Sequence, residues 1–232
     1  IEVVQAASAA QEPLTVILLP DYSFGSDMIV SSTDIDSVSS LKGKKIGTEI
    51  DSLGMYILAL ALSKHDLTLN DVDIINVEQL DAEAAIKSNE IDATVTYPPV
   101  STAILRDDGF HEIFNTSSTP GDVVDTISIR STFLSSLPID WRDRFLIAWD
   151  KALEYSKTHQ EDAYNIMATR VGITSAEFSD ALNGIKLLGS SESKTNLGKE
   201  SIIINIKKVC DTLEHAKATQ FSCNNIHSLI QF

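Results

Sequence analysis

Three residues, Ser52, Leu53 and Gly54, stand where the run Lys44-Lys45-Ile46-Gly47-Thr48-Glu49 gives way to a periodic apolar segment, Leu53, Tyr56, Ile57, Leu60, Ala61 and Leu62. That pattern reads as a strand, a short loop and a helix. The first turn of a helix leaves N–H groups unpaired and carries partial positive charge, so the junction can hold an oxyanion, with the Ser52 hydroxyl as a further donor. The competing role for Ser52 is an N-cap that bonds only its own helix. Asp51 stands beside the same amides. Pointing inward, its carboxylate opposes an anion and favours a zwitterionic or amine-bearing ligand; pointing outward, it leaves the anion site intact. Tyr97, between the apolar run 91–96 and Pro98-Pro99, offers an aromatic wall and a hydroxyl to a cleft ligand, or packs as a half-buried tyrosine. Tyr22 and Phe24 hold a similar place at another strand end. Asp27 and Asp125 fall in or beside apolar runs, where a carboxylate needs partners. Their expected role is structural, bonding backbone amides where the chain crosses between two lobes.

Enzyme chemistry finds little support. The histidines, His65, His111, His159, His215 and His227, are dispersed, and none falls in a metal-binding or nucleophile motif. The chain has no Gly-rich phosphate loop, no Gly-x-Ser-x-Gly elbow and no Cys-x-x-Cys pair. Neither a cofactor nor a metal is expected, and the protein is read as non-catalytic. Its two cysteines, Cys210 and Cys223, give no framework and no metal-ligand spacing; free thiols are expected, with a small disulfide loop as the alternative.

The elements that must position these residues alternate. Residues 14–19 and 27–30 read as strands around a turn at 21–25, and 31–40 as a polar loop. Strands at 44–49, 71–77 and 91–96 enclose helices from Leu53 and over 81–89, which argues for βαβ units and a mainly parallel sheet. Pro120-Gly121 then feeds another strand ending at Arg130, so the chain leaves one sheet and returns to a different one. Two lobes with a cleft between them follow from that crossing. Helices are expected over 141–158, 161–170, 176–187 and 200–216, the last with strand ambiguity at Ile202-Ile203-Ile204.

Composition narrows the partners. The 232 residues are 43% hydrophobic and 22% charged, ordinary for a folded domain, and long enough for two lobes. Net charge is −15, from 33 acidic against 18 basic residues, a field that repels nucleic acid. No apolar run is long enough to span a bilayer. Ile1-Glu2-Val3-Val4 shows no signal-peptide pattern, so any such leader would have been removed.

Four segments together resemble the substrate-binding proteins of the nitrate, sulfonate and taurine ABC-transporter family, which includes the thiamine-pyrimidine binding proteins. They are Asp21-Tyr22-Ser23-Phe24-Gly25-Ser26-Asp27-Met28-Ile29-Val30, Leu41-Lys42-Gly43-Lys44-Lys45-Ile46-Gly47-Thr48-Glu49, Glu90-Ile91-Asp92-Ala93-Thr94-Val95-Thr96-Tyr97-Pro98-Pro99, and the run from Pro120-Gly121 to Arg130. The resemblance implies an α/β fold of the type II periplasmic binding protein kind, two lobes around a central cleft, with lobe one incomplete. It divides the chain into a first part of lobe one at 1–29, lobe two at 30–116, and the return strand and C-terminal helices of lobe one at 117–232. It further implies an extracytoplasmic protein that captures a sulfonate, nitrate, bicarbonate or pyrimidine for an ABC-transporter permease, reaching the membrane only through that permease or an anchor outside this chain. Ligand contacts would come from Ser52, Leu53, Gly54 and Tyr97, with Asp51 and Tyr22 nearby, and binding would proceed by hinge closure.

Two departures from the family are visible. Pro98 stands where an acidic residue usually precedes the proline, and the opening strand and helix of lobe one are not in this chain. The sequence is therefore a piece of a longer precursor, a degenerate member, or a chain completed by another. Alternative roles on the same fold are the sensor domain of a receptor and a protein related to thiamine-pyrimidine synthesis; the latter relatives use a histidine- and cysteine-rich iron site that has no counterpart here.

Overall fold

The computed structural model describes residues 1–10, 12–50, 52–198, 200–215 and 230–231. After a short helix, Glu2–Ala10 (α1), the run Leu14–Leu18 (β1) is buried at every position, as a strand covered on both faces must be. Pro20, with no N–H to give, stands just beyond it. Asp21–Ser23 (β2) follows, and the chain turns at Gly25, whose φ of 115° suits only glycine, to enter Met28–Ser32 (β3). Lys45–Thr48 (β4), Asp73–Asn76 (β5), Ala93–Thr96 (β6) and Phe110–Asn115 (β7) join β3 in a five-stranded sheet of order β5-β4-β6-β3-β7.

Both faces of that sheet are covered. Leu53–Ser63 (α2) packs on one, where Ile29 and Ile46 meet Ile57, Leu58 and Leu62. Ala82–Lys87 (α3) and Val100–Ile104 (α4) serve the other, where Met28 and Val30 meet Ala85, Ile86 and Ile104. The alternation of Met28, Ile29 and Val30 between the two clusters is the period-two geometry of a strand. Strand β4 is parallel to β5 and β6, whereas β3 runs antiparallel to both β6 and β7. The expected mainly parallel sheet is therefore mixed, because β3 arrives from the other sheet and runs against the βαβ strands.

Beyond β7 the chain turns at Pro120-Gly121, with φ of 82° at the glycine, and returns as Ile127–Arg130 (β8), antiparallel to β1. Helices Ser131–Leu134 (α5), Trp141–Thr158 (α6), Gln160–Val171 (α7) and Ser175–Asn183 (α8) lead to Ile185–Leu187 (β9), which pairs antiparallel with β2. Ser190–Leu197 (α9) and Glu200–His215 (α10) precede Ile230–Gln231 (β10), which lies parallel to β1.

Several expectations are corrected. Residues 176–187 form not one helix but α8, a break at Gly184 and β9. The first three residues of the expected turn at 21–25 are strand β2, and the isoleucines 202–204 are helical. Cys210 is disulfide-bonded, so the expectation of free thiols fails; Cys223 lies outside the described residues. The aromatic stripe of α6 exists, with Trp141 stacked on Phe145 at 5.5 Å and the Trp149 indole donating to the Leu188 carbonyl at 2.8 Å, yet no residue of that helix is fully buried. Among the described residues no helix is long and apolar enough to cross a membrane.

Candidate ligand-binding cleft

Parallel strands β4 and β6 end side by side, and loops after the C-terminal ends of parallel strands are where open α/β sheets bind ligands. A cleft of about 350 Å³ opens there. One wall carries Thr48 at the end of β4 and Glu49 just beyond it, Gln79 beyond β5, and Val95, Tyr97 and Pro98 at the end of β6. These ends are laced together: the Glu49 carboxylate accepts the Gln79 N–H at 2.9 Å, and the Gln79 side-chain amide donates to the Thr96 hydroxyl at 2.7 Å and the Tyr97 carbonyl at 3.2 Å. Nothing in the sequence pattern singles out Gln79, whose role comes from its position between two strand ends.

Ser52, Leu53 and Gly54 meet Tyr97 in this cleft. Ser52 caps α2, accepting from the Gly54 N–H at 3.0 Å and donating its own proton to the Glu49 carbonyl at 2.7 Å. Its hydroxyl is committed to the local turn. Gly54 is required by packing, since a Cβ there would collide with the Thr48 hydroxyl. Replacing Ser52 with alanine should therefore lower stability by about 1 kcal/mol through loss of the cap, read as a fall of a few degrees in thermal unfolding; an unchanged midpoint would contradict the capping role. Tyr97 is 46% exposed, its ring open to the cleft. Asp51 lies outside the described residues. Tyr22 does not line the cleft: it packs against the main core, while its neighbour Phe24 lies under the Lys186 ammonium at 5.0 Å.

The opposite wall is made by the two segments that connect the sheets, 21–28 and 115–127. They are stitched together by the buried hydroxyls of Ser23 and Thr116, 2.6 Å apart. Thr116 Oγ1 also accepts from the Gly25 N–H, and the Thr116 N–H donates to the Asp27 carbonyl. Nearby, the Ser23 N–H donates to the Val123 carbonyl and the Asp125 N–H to the Asp21 carbonyl. From this wall Asp21, Asp27 and Asp125 reach the cleft, joined by Glu2 of α1.

The sequence favours a structural role for Asp27 and Asp125 over contact with a ligand. The structure places both at the cleft and turns the Asp125 carboxyl toward that of Asp21 rather than to backbone amides. Burial, then the charge and hydrogen bond of Asp125, push the Asp21 carboxyl up to about 7. Burial also raises Asp27, which is only 7% exposed, against the lowering effect of the Ser23 hydroxyl. Asp125 is raised by burial as well, opposed by its bond to Asp21 and by the amino group of Ile1. The pair thus shares one proton near neutral pH. Tyr97 is raised by burial and then by the charges of Glu49, Asp27 and Glu2. The signal that could have found this cluster was the cost of placing carboxylates in apolar runs.

The architecture is that of a periplasmic binding protein, a two-lobed α/β fold. The periplasmic aliphatic sulphonate binding protein SsuA of Escherichia coli superposes with a TM-score of 0.77 over 99% of this chain and 76% of that one, at 16% identity. The desulfurization enzyme DSZB shares the fold, with a TM-score of 0.67, 12% identity, and coverage of 95% and 78%. The Brucella abortus (strain 2308) protein BAB2_1146, whose name calls it a binding protein, is 25% identical over 181 residues, 77% of this chain and 56% of the relative. The match thus spans little more than half of that relative's length. The family model described as NMT1/THI5 like matches residues 1–163, and the chain belongs to that family.

Proposed function

We propose that this chain forms the ligand-binding part of an extracytoplasmic solute-binding protein, which captures a small molecule in the cleft and presents it to the permease of an ABC transporter without covalent chemistry. The observation that carries this reading is the cleft itself, set at the C-terminal ends of β4 and β6 and walled on the other side by two connecting segments. In this arrangement the lobes divide near residues 29 and 116, on either side of those connections, and close on the ligand by rotation about them. Ser52, Leu53, Gly54 and Tyr97 supply one jaw. The likeness to a periplasmic SsuA supports an extracytoplasmic location.

Titration calorimetry with ethanesulfonate, nitrate, bicarbonate, an aminopyrimidine and benzylamine tests the proposal, with small-angle scattering on any mixture that gives heat. One member of the panel should bind at a stoichiometry of one and reduce the radius of gyration. A folded chain silent to the whole panel would sink the reading.

A further inference from the structure

We propose that the cleft takes a small organic cation, an ammonium or amidinium group carried on an apolar body, and rejects oxyanions; the inference rests on the binding-protein reading above. Five carboxylates from separate parts of the chain converge on it: Glu2, Asp21, Asp27, Glu49 and Asp125. No lysine, arginine or histidine is among the described residues that line it. The nearest basic residue along the β9 wall, Lys186, is turned to the Phe24 ring, while its neighbour Ile185 faces the cleft. An oxyanion entering this space would meet repulsion from carboxylates on both walls.

The usual compensation for an anion, the donors at a helix start, is reduced too. At the start of α2, the Gly54 N–H is taken by Ser52, and the Ser52 proton is given to the Glu49 carbonyl.

Two further features fit a cation with an organic body. The Tyr97 ring stands open beside the carboxylates, and an aromatic face attracts a positive charge placed over it. Leu53, Ile57, Val95, Val123 and Ile185 give the remaining walls an apolar surface that a bare metal ion would not use. Among the described residues no group of three or more carboxylates, histidines or cysteines is placed to hold a metal. The volume, about 350 Å³, lies at the small end for ligand pockets.

A bound cation takes the place of the proton shared by Asp21 and Asp125, which passes to the buffer. Affinity should therefore fall as the pH is lowered and that proton is held more firmly. The groups that set this response are Glu2 of α1, Asp27 and the pair itself, with Glu49 facing them from the other wall.

Matched probes decide the matter: benzylammonium, benzamidinium, benzenesulfonate and benzyl alcohol, titrated into the full chain at pH 7.5 and pH 5.5, with calcium chloride as a separate arm. Both cations should bind more than tenfold tighter than the sulfonate and the alcohol at pH 7.5, and severalfold more weakly at pH 5.5. Their binding heats should vary with the ionisation enthalpy of the buffer. Asp125→Asn should weaken cation binding more than fivefold; Glu49→Gln and Tyr97→Ala, on the other wall, should do the same and keep the test intact if the first variant does not fold. Sulfonate binding equal to or tighter than that of the cations overturns the inference and leaves the binding-protein reading standing. Calcium binding with both organic cations silent also overturns it. Silence to every probe, calcium included, in a folded chain overturns the inference and leaves the binding-protein reading to the nitrate, bicarbonate and aminopyrimidine titrations above.

Discussion

Gly184→Ala should be among the most damaging single-methyl changes available to this protein. A Cβ at residue 184 would sit 2.6 Å from the Ser26 nitrogen and 2.7 Å from its Cα, and both neighbours are backbone, which cannot swing aside. The same glycine accepts, through its carbonyl, the N–H groups of Phe24 at 2.7 Å and Ser26 at 3.0 Å, fastening the first connecting segment to the turn between α8 and β9. Overpacking a close contact costs about 1–3 kcal/mol, and weakening two hydrogen bonds adds about 1 kcal/mol. The expected loss is roughly 2–4 kcal/mol, or about 5–12 °C in the unfolding midpoint of a chain this long. A midpoint within a degree of the parent would show that the approach of residue 184 to residue 26 is not as tight as described.

The second large effect is a dependence of stability on pH that runs opposite to ordinary acid denaturation. Asp21 has its carboxyl raised to about 7 in the folded protein, against an ordinary value of 3.8. A group that binds its proton more firmly when folded adds stability that is complete below the unfolded value and is lost as the pH rises through about 7. The full span is equivalent to about 4 kcal/mol. Solvent reaching Asp21, which is partly exposed, and Asp125, which is exposed, reduces it to roughly 1–2 kcal/mol. Thermal unfolding should therefore show this contribution falling between about pH 4 and pH 7, and Asp21→Asn should flatten the profile and raise the midpoint at pH 8 by a few degrees. If the variant is less stable than the parent at pH 8, the carboxyl pair is not a source of strain.

The elements that local pattern could specify were the ones the sequence revealed. Helix α6 runs over 141–158 as its spacing predicts, because Pro138 precedes it and the aromatic period of Trp141, Phe145 and Trp149 is helical. What failed was non-local. Strand β2 is three residues long, and its partner β9 lies about 160 positions further on. Neither segment has a periodicity that could announce the pairing. The antiparallel course of β3 is likewise fixed by where the chain comes from, not by its composition, and an apolar run looks alike in either direction.

The site divides along the same line. Ser52, Leu53, Gly54 and Tyr97 sit at strand ends within one sheet, where order along the chain implies proximity, and the structure brings them together. Asp21, Asp27 and Asp125 become neighbours only because the chain crosses between sheets twice. Read singly, each is a carboxylate seeking a partner; only the crossing shows that their neighbours are one another.

The bond between Ser23 and Thr116 has a mechanical consequence. If the lobes rotate about the two connecting segments, this pair of hydroxyls acts as the pin of the movement, and displacement grows with distance from it. Asp27, four residues from Ser23 and with its carbonyl bonded to Thr116, is then a nearly stationary post. Tyr97 follows Thr96, the register partner of Met28, and so moves little as well, whereas β5, three strands away from β3, takes the wider stroke. Fluorescent labels near the pin would register almost nothing on closure, whereas a label on β5, at the far edge of the sheet, would read the whole stroke.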